Sequence, residues 1–471
     1  MSATATTYEP VIGLEIHVQL GTRTKMFCGC ELAFGDPPNT HTCPVCLGLP
    51  GSLPVTNARA IHFGILMGLA FGCEIAPRSI FHRKNYFYPD QAKNYQISQY
   101  DIPLCRGGRL GDVRLHRIHL EEDAAKLVHV GASGRIHGSE SSVVDYNRGG
   151  TPLAEIVTEP DIHSPEQARE WLTLLRETLR QLGVSDVDMS QGSLRCDANV
   201  SVRPAGSTEL GTKTELKNMN SFAFLEQGIR AEIARQVALL EDGESVVQET
   251  LHFDPRTGSL TSLRSKEEAH DYRYFPEPDL VPVAPTQEML AEARAALPEL
   301  PADRIARYER ELGLPADTAR TLTWRPERAA FFEQAVAATA DGVEPRVVAN
   351  WLERAPDIGE LTPEALAGLV ELVQARTVSN DAGRRVLEVL VAQGGEPAAV
   401  VEREGLAAMG TDGELEAIVA RVLEDNPDVV ERIKGGNPKA MGALMGPIMR
   451  ETKGRADGGA VQALIREKLG L

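Results

Sequence analysis

Between Val11 and Leu20 the chain alternates strictly. Ile12, Leu14, Ile16, Val18 and Leu20 fall on one side, and Glu15, His17 and Gln19 on the other. Period-two alternation of this length predicts a half-buried β-strand. Three later stretches repeat it. Arg117–Asp123 sets His119, Glu121 and Asp123 on one side if extended. Ser193–Val202 sets Arg195, Asp197, Asn199 and Ser201 opposite Leu194, Cys196, Ala198, Val200 and Val202. Thr212–Asn218 sets Lys213, Glu215 and Lys217 together. The four predict an antiparallel sheet with one aliphatic face and one polar face.

Helical periodicity appears between them. Asn57–Cys73 carries Gly64, Gly68 and Gly72 at four-residue spacing, which suits a helix packed closely on a sheet. Ser164-Pro165-Glu166-Gln167 reads as N-cap, N1 proline and capping box. Behind it Trp171, Leu172, Leu175, Leu179 and Leu182 form the apolar stripe, and Gly183 the stop. Leu225, Ile229, Ile233, Val237 and Leu240 mark another helix. From about Thr286 strand signals vanish. Helix starts follow at Thr362-Pro363, at the Thr411/Glu414 capping box and at Asn437-Pro438. The expected fold is α+β: a cradle domain on the antiparallel sheet over residues 1–295, an all-α domain over 296–408 and a small helical tail over 409–471.

At 471 residues the chain has length for about three domains. Its net charge of -18 argues against nucleic-acid binding by overall charge. The last forty residues differ. From Arg432 they hold eight Lys or Arg against three acids, leaving about -23 on the rest by difference. A basic tail on an acidic chain is the pattern of a local nucleic-acid arm, with a solvated helical face as the competing reading. Gly435-Gly436, Gly454 and Gly458-Gly459 would let backbone approach a phosphate. No apolar run reaches the length of a membrane span. The first residues lack the pattern of a secretory signal. Seven cysteines, four of them in a metal-like spacing, suit a reducing cytoplasm.

Those four are Cys28-Gly29-Cys30 and Cys43-Pro44-Val45-Cys46, on turn-forming sequence. They match a structural Zn²⁺ knuckle at 28–46, with unligated thiols as the alternative. A closed site of this kind contributes folding energy, on the order of 10 kcal/mol, and no chemistry.

The polar face offers the reactive chemistry. Glu15, His17, Glu121, Glu122, Asp197, Asn199 and Glu215 could converge with Arg195 and Lys217. Carboxylates for Mg²⁺ beside cations for phosphate oxygens suit nucleotide phosphoryl transfer. Plain solvent exposure of the face is the competing reading. No Gly-x-x-x-x-Gly-Lys-Ser/Thr occurs, so an ATP site here is not a P-loop. His82–Asp90 and Lys93–Tyr100 interleave cations with aromatics. They read equally as a phosphate and base platform or as an aromatic core strand.

Several segments in order resemble the B subunits of the aspartyl/glutamyl-tRNA(Asn/Gln) amidotransferases, nearly end to end. They are Val11–His17, the Cys28/Cys30/Cys43/Cys46 set, Arg83–Asp90, Leu120–Asp123, Arg195–Ser201, Thr214–Asn218 and Asp271–Pro276. The resemblance implies a heterotrimer completed by an amidase and a small third polypeptide. It implies ATP- and Mg²⁺-dependent phosphorylation of the side-chain carboxylate of Glu-tRNA(Gln) and/or Asp-tRNA(Asn), then amidation by ammonia from the amidase. It further implies a mobile tail that grips tRNA, and a non-discriminating aminoacyl-tRNA synthetase as another partner.

By similarity, catalytic roles go to Glu15, His17, Glu121, Glu122, Asp197 and Glu215, with Mg²⁺ on Glu15, His17, Glu121 and Glu122. Imidazole is not a typical Mg²⁺ ligand, so His17 is equally a group that orients phosphate or water, or the site takes Mn²⁺. Lys84, Arg195, Asn199 and Lys217 are the nucleotide-binding candidates. Two departures stand out: Ala124-Ala125-Lys126-Leu127 where Gly-Lys-Ser is common, and Pro447, expected to interrupt and kink a helix. The rival readings are a non-catalytic tRNA-binding scaffold with a purely structural metal, and a self-sufficient glutaminase. Against the latter, Cys73, Cys105 and Cys196 have no clear His partner, and no Ser-Ser-Lys amidase signature occurs.

Overall fold

The computed structural model describes residues 7–33, 35–130, 139–217, 219–265, 272–408, 413–435, 438–452 and 455–470. Asn218, Asp271, Thr411, Gly436, Asn437, Lys453 and Gly454 lie outside them, and with them the Thr411 and Asn437 helix starts. The chain forms two compact units, Met1–Ala302 and Asp303–Leu471. This division falls slightly after the break expected at residue 295. The helix Gln287–Ala295 buries Ala293 in the first core, and Leu297 and Leu300 pack against the same core.

The first unit is built on a large twisted sheet. Its main strands are β1 (Tyr8–Gln19), β2 (His82–Asn85), β3 (Tyr95–Ser98), β4 (Val113–Glu122), β5 (Pro152–Thr158), β6 (Leu194–Pro204), β7 (Thr214–Lys217), β8 (Glu249–Asp254) and β9 (Ser259–Ser265). They lie side by side in the order β9-β8-β7-β6-β1-β5-β4-β3-β2. The alternating strand of the sequence is thus central, with β6 and β5 as antiparallel neighbours. Ile12, Leu14, Ile16 and Val18 are fully buried, which is what locks the register. A slip by one residue would drive Glu15 and His17 into the core.

Among the described residues, one pair departs from the expected antiparallel pattern: β7 and β8 run parallel. The cause is the helix between them. A parallel neighbour needs a crossover, and the twenty-residue Phe222–Glu241 helix supplies it.

Helices cover the aliphatic face. These are α1 (Ala58–Ala70), α2 (Pro165–Gln181) and α3 (Phe222–Glu241), contributing Ile65, Leu66, Leu172, Leu175, Leu225 and Ile229 to the sheet's core. Asn57 caps α1 through Arg59 N–H and Ala60 N–H. Ser164 caps α2 by accepting from Gln167 N–H. The Gln167 side chain returns to His163 N–H, one residue before the position a capping box predicts. Gly64 and Gly68 are close-approach sites. A Cβ at Gly64 would come within 2.6 Å of Leu104 Cδ2, and one at Gly68 within 2.6 Å of Cys105 Sγ.

The second unit is helical. It holds two separate apolar clusters, one running in sequence from Tyr308 to Leu406 and one from Leu415 to Ile465. The expected interruption at Pro447 does not occur. The helix Gly442–Glu451 runs through it, with Leu444 and Ile448 buried on either side. The proline still removes one backbone donor, and packing of those neighbours holds the turn.

Candidate functional site

Strand register assembles the polar face. His17 stands opposite Arg195 on β6 and opposite Glu155 on β5, and Glu155 stands opposite His119 on β4. Glu15 faces Asp197, and Asn199 faces Glu215. Of these, Glu15, His17, His119, Glu155, Asp197 and Glu215, with Lys84 from β2 and the rings of Tyr100, Tyr272 and Tyr274, surround a cavity of about 280 Å³, which Arg195 and Asn199 do not line.

Its centre is a knot of two imidazoles and two carboxylates. His17 Nε2 lies 3.4 Å from Glu155 Oε2 and 3.8 Å from Glu121 Oε1. His119 Nε2 lies 3.4 Å from Glu155 and 3.6 Å from Glu121. Ser98 Oγ donates to Glu121 Oε2 at 2.9 Å. Burial works against a charged His17 ring. The hydrogen bond to Glu155 and the fields of Glu155 and Glu121 outweigh it and push the group up to about 9. Burial likewise opposes charge on Glu121, yet its hydrogen bond with His119 holds the carboxyl below the usual range.

A second group lies alongside. Lys217 Nζ sits 3.4 Å from Asp197 and 3.6 Å from Glu215. Thr250 Oγ1 donates to Glu215, and Asn199 Nδ2 donates to Glu15 Oε1 at 2.8 Å. Burial raises the Asp197 carboxyl, against the opposing pull of Lys217 and His17. Lys84 is desolvated too, but Tyr274, Glu121 and Glu155 keep it firmly protonated.

The expected set is brought together only in part. Glu15, His17, Lys84, Glu121, Asp197, Glu215 and Lys217 share the cavity. Glu122 does not. It is the next residue along an extended strand, so it turns away from Glu121. Lys93 Nζ takes both its oxygens at 2.5 and 2.6 Å, and Ile97 N–H donates to it. Arg195 stands at the right register but reaches Asp123, at 2.8 Å, where Gln19 also donates. Burial disfavours the Asp123 charge, and Arg195 and Arg148 more than offset it.

Among the described residues, the acid–imidazole set whose ligand atoms lie within 4.8 Å of one another is His17, Glu121 and Glu155. Glu15, expected among the metal ligands, is outside this set, and Glu155 is inside it. The two carboxylates suit a hard divalent cation such as Mg²⁺ or Mn²⁺, and the imidazole is the member of the set that is atypical for Mg²⁺. Among the described residues, the buried Asn199 Oδ1 and His119 Nδ1 have no hydrogen-bond partner. Glu155 carried one sequence signal, a lone acid inside the run Leu153-Ala154-Glu155-Ile156-Val157.

The four knuckle sulfurs also lie within 4.8 Å of one another. Tetrahedral Zn²⁺ with bonds of about 2.3 Å needs sulfurs roughly 3.8 Å apart, so the set fits. A hydrogen bond from the Cys28 thiol pulls Cys46 down to about 4, and the same bond drives Cys28 up. A thiolate is therefore already favoured where the metal would bind. Cys73, Cys105 and Cys196 are buried, and burial raises each thiol. Among the described residues, no helix is long and apolar enough to cross a membrane.

Comparison with known proteins covers almost all of this architecture. Residues 10–291 match the GatB/GatE catalytic domain, and residues 330–469 match the GatB domain. The chain is 50% identical over 484 residues to the aspartyl/glutamyl-tRNA(Asn/Gln) amidotransferase B subunit of Anaeromyxobacter dehalogenans, covering 98% of this chain and 99% of that one. Its counterpart in Frankia casuarinae is 49% identical, over 98% and 96% of the two chains. The one in Carboxydothermus hydrogenoformans is 48% identical, over 98% and 99%. With both its sheet unit and its helical unit matched, the chain belongs to the B-subunit family of the aspartyl/glutamyl-tRNA(Asn/Gln) amidotransferases.

Proposed function

We propose that the polar cavity is where the side-chain carboxylate of Glu-tRNA(Gln) and/or Asp-tRNA(Asn) is activated by ATP and then amidated. Amidotransferases of this family form a carbon–nitrogen bond with glutamine as amido donor. A free carboxylate is a poor acyl donor, because its leaving group would be oxide. Phosphorylation turns that oxygen into a good leaving group for ammonia to displace. Ammonia comes from the partner amidase, with a small third polypeptide completing the heterotrimer in the cytoplasm.

The observation that carries the reading is the juxtaposition of His17, Glu121 and Glu155 with Lys84 and Lys217 in one cavity. A Mg²⁺ held there would supply charge neutralisation for the transferring phosphoryl group. The chain's own groups do the rest. Lys84, kept protonated by its surroundings, offers a point charge to phosphate oxygens. Lys217 does the same from β7, held by Asp197 and Glu215. His119 steadies Glu121 and Glu155 from the β4 side. Walls that exclude water protect an activated acyl group from hydrolysis. The Zn²⁺ knuckle stays structural, and the basic tail of 409–471 holds tRNA, following the helical domain of 296–408 in the chain.

The test is amide formation on Glu-tRNA(Gln) by the reconstituted complex, with ammonia, ATP and Mg²⁺ supplied directly. Ammonia bypasses the amidase, so the assay reads this chain alone. Glu155→Gln and Glu15→Ala are expected to lower the rate by about 100-fold or more while tRNA still binds, as loss of electrostatic transition-state support does. Normal amidation by both variants would make the sheet a scaffold.

A further inference from the structure

Lys25 immediately precedes the knuckle and is 1% exposed. Its Nζ donates to Tyr146 O at 2.9 Å and lies 3.7 Å from Cys46 Sγ. Among the described residues it has no carboxylate partner. Glu122 and Asp279, the two acids that line the same small cavity, are held by Lys93 and Arg83. A buried ammonium needs a counter-charge. Four thiolates around one divalent cation leave two negative charges in excess, so the knuckle supplies it.

The backbone around Lys25 is anchored on both sides. Its N–H donates to Cys30 O, within the knuckle. Its own carbonyl accepts from Asn57, the cap of α1. Met26 N–H donates to Gly150 O, in the loop that opens β5. Gly150 sits at φ +88°, and a Cβ there would press to 3.3 Å of the Lys25 stem. The side chain therefore has little freedom to point elsewhere.

We propose that Lys25 is the charge-compensating hydrogen-bond donor of the zinc knuckle, donating to the Cys46 thiolate while holding the Tyr146 carbonyl at the root of β5. It is a positioning residue for the metal, not a ligand. Through Tyr146 it joins the knuckle to the loop leading into the strand that carries Glu155. The inference rests on the knuckle holding Zn²⁺ and is independent of the ATP reading. Groups of this kind around metal sites tune affinity by about 10–100-fold.

The experiment uses the full zinc-loaded chain and follows metal release to a chromophoric chelator. Lys25→Met keeps the stem and removes the charge. Lys25→Gln keeps a donor without charge, and Lys25→Arg keeps both. Leu225→Ala, in the core under α3, is the control for lowered stability alone. Release is expected to be about 10–100-fold faster for Lys25→Met, intermediate for Lys25→Gln and near wild type for Lys25→Arg and Leu225→Ala. In the cobalt-substituted chain the thiolate-to-metal absorption band should shift in Lys25→Met. Unchanged release with an unshifted band overturns the proposal. So does equal release from Leu225→Ala and Lys25→Met.

Discussion

Burial alone would leave His17 neutral, yet Glu155 and Glu121 hold its ring charged up to about pH 9. The folded value is raised above the unfolded 6.5. The stabilisation is therefore complete below pH 6.5 and lost as pH rises through about 9. Linkage bounds it at about 3 kcal/mol. The metal-free chain should lose melting temperature between those values, and His17→Gln should flatten the decline. A slope unchanged in the variant would remove His17 as its source. A cation bound through His17 would have to displace that proton, so Mn²⁺ affinity, read by calorimetry, should rise through the same window. Glu122 behaves differently. It is 3% exposed and its charge is met by Lys93. Lys93→Met strands a buried carboxylate and should cost about 3–5 kcal/mol in urea unfolding, with Lys93→Met/Glu122→Gln recovering most of it.

At the scale of elements, α1 shows how packing overrides propensity. Alanine at Gly68 would gain about 1 kcal/mol of helix propensity. It would also drive a methyl group to 2.5 Å from Ile75 Cδ1 and 2.6 Å from Cys105 Sγ. Overpacking of this kind costs roughly 1–3 kcal/mol, so Gly68→Ala should be neutral to destabilising in denaturant titration. A clear gain in stability would mean that α1 stands off the sheet. The β7–α3–β8 crossover is the other element-scale decision. Its helix turns one strand parallel and brings Thr250 beside Glu215.

Over the whole molecule, charge is segregated by sequence position. In the tail, Arg432, Lys434, Arg450, Arg466 and Lys468 are exposed around a cluster built on Leu415, Val419, Leu444 and Ile465. If this face grips tRNA, Arg432→Gln/Lys434→Gln should weaken binding. The salt slope of log K should fall by about one per lost phosphate contact. Filter binding across a salt series checks this, and an unchanged slope would return the tail to a solvated face.

The periodicity of β1, β6 and α2 was legible in the chain because local pattern decides which face of an element is buried. The four-cysteine cluster was legible because Cys28, Cys30, Cys43 and Cys46 are close in sequence. So was the polar lining that β1, β6 and β7 give the cavity, since alternation alone assigns Glu15, His17, Asp197, Glu215 and Lys217 to one face. What tertiary structure decided was which of these groups meet. Glu155 joined His17 through antiparallel register between β1 and β5, strands far apart in the chain, a pairing no local pattern encodes. Glu122 lies outside the cavity because adjacent residues on a strand point to opposite faces, and it pairs there with Lys93. The parallel turn of β8 and the continuous helix through Pro447 were likewise set by what those segments pack against, and packing is a property of the folded chain.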